Sequence, residues 1–208
     1  MIGVAVMGYG VVGSGVVELI DQNNKIFSEK IGQDIAVKHI LDVRDFPGNK
    51  YESLITKDFN DILSDPETEI VCETIGGAKV AYDFTKRCLC AGKSVVTSNK
   101  ELVATHGTEL LALAKEHGVD YMFEAAVGGG IPIIRPLINC LAANRIDKIV
   151  GILNGTTNYI LTKMIKENST FADALKEAQR LGYAEADPTA DVGGWDGAAK
   201  MAILATIG

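Results

Sequence analysis

Ile2-Gly3-Val4-Ala5-Val6-Met7-Gly8-Tyr9-Gly10-Val11-Val12-Gly13-Ser14-Gly15-Val16-Val17-Glu18-Leu19-Ile20 is the stretch that decides the architecture. Residues 2 to 7 form a short apolar run that breaks at Gly8, and from Val11 to Ile20 the apolar spacing becomes helical, so the segment reads as strand, tight turn and helix. Gly8-Tyr9-Gly10-Val11-Val12-Gly13 then matches Gly-x-Gly-x-x-Gly where that pattern has physical meaning. Gly8 permits the turn, Gly10 the close approach of a pyrophosphate, and Gly13 the packing of helix on strand. The helix N-terminus adds free N–H groups and partial positive charge for phosphates. Gly8, Gly10, Val11, Val12 and Gly13 are therefore candidate dinucleotide-binding residues. The bare pattern is weak in a chain with 22 glycines; its place after a buried strand gives it weight over a merely structural corner.

Outward from this start, a second strand fits Ile35 to Val43, and Asp45 to Lys50, with Pro47 and Gly48, is a loop. Further strands fit Glu69 to Glu73, Ser94 to Thr97 and Asp120 to Phe123. Helical segments separate them near Val80 to Ala91 and Thr108 to His117, with Gly92 and Gly118 placed to end them. Strands alternating with helices imply a parallel sheet covered on both faces. The fold class is α/β: a doubly wound, dinucleotide-binding domain over 1–127. After Gly128-Gly129-Gly130 the texture changes to a helix Ile133 to Ala143, a strand Lys148 to Leu153, and helices near Asn158 to Glu167 and Thr170 to Leu181. A second, α+β domain over 128–208 is expected, cut off within an apolar helical pattern at Ala205-Thr206-Ile207-Gly208.

The composition is that of a packed globular protein, with 47% apolar and 23% charged residues in 208. A formal charge of −7 repels a phosphate backbone, so nucleic acid is not an expected partner. No apolar run reaches the ~20 residues of a membrane span and no signal peptide is evident, so a cytoplasmic protein without membrane contact is expected. Cys72, Cys88, Cys90 and Cys140 show no metal-ligand spacing with one another or with His39, His106 and His117. Cys72 and Cys140 lie in apolar stretches and read as reduced, buried thiols.

Coenzyme choice rests on the end of the second strand, where an acid would hold a ribose 2′-OH and a cation a 2′-phosphate. Asp42 supplies the acid, further from Gly13 than the usual ~20 residues, which marks the polar segment Asp21 to Asp34 as an insertion. Arg44 supplies a cation and Lys50, in the adjacent loop, a second. The cationic pair favours NADP(H) over NAD(H), although Arg44 could also cap the strand or stack on the adenine. Lys100 ends the run Ser94-Val95-Val96-Thr97-Ser98-Asn99-Lys100, where ligands of open parallel sheets lie; a solvated surface lysine is the plain alternative. Among Glu185, Asp187, Asp191, Asp196 and Lys200, the last two stand four apart in a helix starting near Gly193 and share one face. Apolar Met201-Ala202-Ile203-Leu204 suggests a largely buried helix, in which a lysine needs a charge partner or a task.

Gly151-Ile152-Leu153-Asn154-Gly155-Thr156-Thr157-Asn158-Tyr159-Ile160-Leu161, with the Glu185 to Lys200 segment, resembles homoserine dehydrogenase. The likeness follows the chain in order through the glycine pattern, Thr97 to Lys100, the Glu124 to Pro132 turn, the Asn-Gly-Thr segment and the acidic run. The resemblance implies reversible NAD(P)H-dependent reduction of L-aspartate 4-semialdehyde to L-homoserine, in threonine and methionine biosynthesis. It implies that Thr74 approaches the coenzyme beside the glycine turn, and that Glu185 and Asp191 bind the substrate ammonium. Asp196 would orient the reacting oxygen or its lysine partner, Lys200 would donate the proton, and Lys100 would lie across the carbonyl. It further implies a Na+ site from the Glu124 side chain and the carbonyls of Val127, Gly129 and Ile131, and assembly as a homodimer or higher homo-oligomer. Two alternatives stand beside this: a related dehydrogenase acting on another amino-acid-like oxo substrate, or a coenzyme-binding fragment without turnover. Aspartate semialdehyde dehydrogenase is disfavoured, since no cysteine has a nucleophile's setting.

Overall fold

A computed structural model describes residues 1–208, which divide into two compact units, Met1–Gly130 and Ile131–Gly208. The first unit is built on β1 (Ile2–Met7), β2 (Ile35–Leu41), β3 (Ile55–Thr56), β4 (Thr68–Glu73), β5 (Ser94–Thr97) and β6 (Tyr121–Met122). Every pairing is parallel and the order is β3-β2-β1-β4-β5-β6. The connecting helices are α1 (Val11–Ile31), α2 (Phe59–Ser64), α3 (Lys79–Cys90), α4 (Lys100–His117) and the short α5 (Ala125–Gly128). β1 lies between β2 and β4, so the chain reverses its direction of winding there, the place where open α/β sheets bind ligands.

Burial follows from that position. Val4, Ala5, Val6 and Met7 are all within 1% of complete burial, because helices cover both faces of the central strand. Val6, Tyr9, Val17 and Ile40 form one cluster that ties β1 and β2 to α1. Lys93 is buried without an ion pair of its own making, its Nζ donating to the carbonyls of Asp65 and Thr68 at 2.7 Å each, which pins the entry to β4.

Several expected boundaries move. α1 runs on to Ile31, so the extra length from Asp21 to Ile31 is taken up as further turns of helix; its half-buried positions Asn24 and Phe27 continue the stripe of Val17 and Ile20, and polar Asn24 hid the period. α4 begins at Lys100, eight residues before the expected start, because Asn99 caps it by accepting from the Leu102 N–H, and Gly107 stays inside the helix. β2 stops at Leu41, which leaves Asp42 just past its end. β3 and α2 were not anticipated: one is two residues long, and the other rests on the Asp58 cap.

The second unit contains a π-helical turn Pro136–Cys140, α6 (Gly155–Glu167), α7 (Phe171–Arg180), α8 (Thr189–Val192) and α9 (Trp195–Ile207). Ile160, Ala174, Ala178 and Ala184 form its small core, with Tyr159, Met164 and Leu175 against it. The strand expected at Lys148 to Leu153 does not form. That segment has no neighbouring strand to pair with, and Val150 and Ile152 are 78% and 79% exposed. The helix expected from Ile133 to Ala143 contracts to the π-helical turn. α9 is less buried than its apolar run implies: Asp196, Ile203 and Leu204 are covered, while Trp195 is 71% exposed.

The cysteines also differ from expectation: Cys88 is buried and Cys72 half-buried, but Cys140 is exposed, as is Cys90. Burial pushes the Cys72 thiol up to about 11 and the Cys88 thiol up to about 12. At pH 8, Ellman's reagent is expected to titrate Cys90 and Cys140 quickly and the other two only after denaturant is added; four fast thiols would contradict this packing. Ile40→Ala, in a fully buried position, is expected to cost about 3 kcal/mol in urea unfolding.

Candidate functional site

In the first unit the site grows from the turn after β1. Beyond the strand ends, the ladders continue as Gly8 N donates to the Leu41 carbonyl at 2.8 Å and Thr74 N to the Met7 carbonyl at 2.9 Å. The Thr74 hydroxyl sits 2.9 Å from the Met7 carbonyl and 2.8 Å from that of Gly8, and its one proton serves both. Gly8 has φ +93°, a conformation that L side chains rarely adopt, and a Cβ there would stand 2.9 Å from the Thr74 carbonyl. At Gly13 a Cβ would fall 1.8 Å from the Gly8 carbonyl oxygen, which no side chain can meet. Gly10 begins α1 with open space before it. The first helical bond runs from Ser14 N to the Gly10 carbonyl, so the N–H groups of Val11, Val12 and Gly13 precede the ladder, and no carboxylate occupies the first turn to compete for them. Val11 and Val12 are 92% and 54% exposed.

This turn opens on a cleft of about 520 Å³ lined by Gly8, Gly10, Asp42, Arg44, Lys57 and Thr74, among others. The chain's own groups fit a dinucleotide: donors for phosphate, a glycine wall, and cations at the end of β2. Asp42 is engaged on both oxygens. Oδ2 accepts from Tyr9 N at 2.8 Å and Arg44 Nη2 at 2.9 Å, and Oδ1 from Arg44 N at 2.9 Å and Nε at 3.0 Å. The Arg44 guanidinium holds this carboxyl well below the usual range, against the opposing pull of partial burial. Arg44 Nη2 also donates to the Tyr9 carbonyl at 3.0 Å, while the side chain stays 58% exposed. The expected second cation is corrected: Lys50 pairs with Asp21 at 2.5 Å on another part of the surface, since α1 extends far enough to bring Asp21 to it. Lys57, overlooked in the sequence because β3 was overlooked, lines the cleft instead and pairs with Asp45 at 2.6 Å.

At the ends of β4 and β5 lies a carboxylate without sequence signature. Glu73 is fully buried and accepts from Thr97 Oγ1 at 2.5 Å and from Ile75 N at 2.6 Å. Burial pushes this carboxyl up, opposed by those donors. Asn99 Nδ2 donates to the carbonyls of Ile75 and Gly77 at 3.0 and 2.8 Å, knitting the two strand ends together. Lys100 follows as the first residue of α4, half-buried. Glu124 immediately precedes α5, Val127 is buried within it, and Gly129 follows it; Ile131 opens the second unit and is 72% exposed. No group of three or more His, Cys, Asp or Glu side chains is arranged to hold a metal ion.

In the second unit the acidic run and α9 form a polar network. Lys200 Nζ stands 2.8 Å from Asp196 Oδ2 and donates to the Leu153 carbonyl at 2.8 Å; the two side chains are 17% and 4% exposed. The Asn154 amide reaches Asp191 Oδ1 at 2.8 Å and Asp196 Oδ2 at 2.9 Å. Thr156 Oγ1 lies 2.9 Å from Asp191 Oδ2 and 2.8 Å from the Tyr183 carbonyl. Thus Asp191, Asp196 and Lys200 come together, while Glu185 stays exposed nearby in sequence. Asn154 and Thr156 belong to this network although spacing alone assigned them nothing; a polar Asn-Gly-Thr opening a helix was the available signal.

Both units have counterparts among known proteins. A family model described as the homoserine dehydrogenase NAD-binding domain matches residues 8–124, and one described as homoserine dehydrogenase matches 132–208. The homoserine dehydrogenase of Bacillus subtilis (strain 168) is 48% identical over 209 residues, covering 99% of this chain and 48% of that protein. That of Lactococcus lactis (strain IL1403) is 43% identical over 98% of this chain and 49% of its own length. The chain thus spans about half the length of the curated relatives it matches. Among solved structures, a homoserine dehydrogenase from Thiobacillus denitrificans superposes with a TM-score of 0.90 at 44% identity, over 99% of this chain and 48% of that one. A hyperthermophilic archaeal homoserine dehydrogenase in complex with NADPH superposes with a TM-score of 0.84 at 30% identity, over 99% and 69%. With family models matching residues 8–124 and 132–208, and relatives 43–48% identical over nearly the whole chain, the chain belongs to the homoserine dehydrogenase family.

Proposed function

We propose that this chain carries NADP(H)-binding and proton-transfer groups for the reversible reduction of L-aspartate 4-semialdehyde to L-homoserine. The observation that carries the reading is the largely buried Lys200 ammonium, held 2.8 Å from Asp196 and 2.8 Å from the Leu153 carbonyl. A surface pair of this spacing contributes a few tenths of a kcal/mol and has no need of such anchoring. NADPH, when bound, would supply hydride to the aldehyde carbon. The Lys200 ammonium would stabilise the negative charge developing on the carbonyl oxygen and transfer its proton there, becoming neutral until solvent reprotonates it. Asp196 orients that ammonium. Glu185 and Asp191 offer carboxylates to the substrate ammonium.

For the coenzyme, the state of Asp42 supports NADP(H). Both its oxygens are taken by Tyr9 and Arg44, so it is poorly placed to receive a ribose 2′-OH. Arg44 and Lys57, both exposed and both lining the cleft, are the cations for a 2′-phosphate. For a monovalent cation the Glu124 carboxylate and the carbonyls of Val127 and Gly129 would be the hard oxygen donors. A second copy of the chain is the proposed protein partner. No helix is long and apolar enough to cross a membrane.

Fluorescence titration with NADPH and NADH, beside an assay of NADP+-dependent homoserine oxidation, tests both parts. Arg44→Ala combined with Lys57→Ala is expected to weaken NADPH binding about 10- to 100-fold and leave NADH nearly unchanged; equal loss for both coenzymes would remove the 2′-phosphate assignment. Lys200→Ala is expected to lower kcat by about 10²- to 10⁴-fold with NADPH affinity retained. Turnover persisting when Lys100 and Lys200 are both alanine would refute the proton-transfer scheme.

A further inference from the structure

The Asn154 side chain performs two tasks at once. Its Oδ1 accepts from the Thr157 main-chain N–H at 2.8 Å, capping α6, and from Thr157 Oγ1 at 2.8 Å. Its Nδ2 faces Asp191 Oδ1 and Asp196 Oδ2 at 2.8 and 2.9 Å. A primary amide has two N–H donors and one acceptor oxygen. The surroundings dictate its orientation, because the Thr157 N–H can only donate and ionised carboxylates can only accept. Each hydrogen of the amide therefore goes to a different carboxylate.

Asp191 belongs to α8, and Asp196 and Lys200 to α9. Asp196 Oδ2 receives both the amide and the Lys200 ammonium, and the Leu153 carbonyl, one residue before Asn154, takes the same ammonium from its other side. Two like charges converging on one nitrogen repel unless donors stand between them. The amide donates to both acids, and Asp196 also takes the Lys200 ammonium. We infer that Asn154 is a positioning residue: its amide sets the separation of the Asp191 and Asp196 carboxylates and, through Asp196, the aim of the Lys200 ammonium. The consequence for turnover rests on the reaction proposed above; the clamp itself does not.

Two variants separate the clamp from the helix cap. Asn154→Asp keeps the size and a capping oxygen, and puts negative charge at a helix N-terminus where it is favoured, but it exchanges two donors for a third carboxylate. Asn154→Ser keeps a capping oxygen and loses the donors. If residue 154 only caps, Asn154→Asp melts at or above the parent temperature at pH 7. The clamp requires Asn154→Asp to melt several degrees lower at pH 7. The gap must narrow at pH 4, because clustered carboxylates raise a folded-state pKa, and a penalty of that sign vanishes as pH falls. This comparison needs no turnover. In homoserine oxidation, both variants are expected to lose about 10- to 100-fold in kcat through misplacement of the ammonium, with the KM for NADP+ unchanged. Asn154→Asp as stable as the parent at pH 7, or Asn154→Ser with parental kcat, overturns the proposal. A parent without turnover would instead count against the proposed reaction, and the melting comparison would still decide the clamp.

Discussion

Between the end of β1 and the first turn of α1 there is no room for a side chain, since the Gly8 carbonyl occupies the place of a Cβ on residue 13 and the Thr74 hydroxyl presses in from β4. That contact sets the angle at which α1 leaves the sheet. It keeps the N–H groups of residues 11 to 13 at the mouth of the cleft, and it makes Thr74 a brace between two strands as well as a wall of the site. The sheet order follows from the same spot. With β2 on one side and β4 on the other, the end of β1 is where the crossovers part, and the cleft lined by Gly8, Gly10 and Thr74 opens there.

The second unit is held on a different principle. Its apolar cluster is small and alanine-rich, so the polar network among Asn154, Thr156, Asp191, Asp196 and Lys200 carries much of the burden of fixing how α6, α8 and α9 meet. Buried charges are costly unless each has partners, and breaking one member strands the others. Such a network tolerates little rearrangement, which suits the role proposed for Lys200.

What the sequence revealed depended on whether a signal was local. The Gly8 to Gly13 turn, the strand Ser94 to Thr97 and the i, i+4 pair of Asp196 and Lys200 were legible because period, glycine placement and charge spacing are properties of short stretches. Lys57 was invisible because its position depends on β3, two residues that become a strand only by pairing with β2. Glu73 gave no warning, since a carboxylate ending an apolar strand looks like a surface residue until Thr97 from the next strand caps it. The strand expected at Lys148 to Leu153 failed for the converse reason: alternation supplies a face, but a ladder requires a neighbour. Resemblance supplied roles for Glu185 and Asp191 in an acidic run that charge spacing had already marked, yet spacing and resemblance alike left Asn154 without a role, because its two partners lie 37 and 42 residues away.

The placement of β1 at the centre of the sheet bears on how the chain acquires its shape during synthesis. β1 is made before the other strands of this sheet, yet one of its neighbours is completed only with Glu73, so Val4 must wait for Ile70 and Val6 for Cys72. Closing such separations costs chain entropy before any contact repays it. Until then the nascent protein displays an apolar ribbon with one open hydrogen-bonding edge, the kind of surface that chaperones shield and that aggregates when crowded.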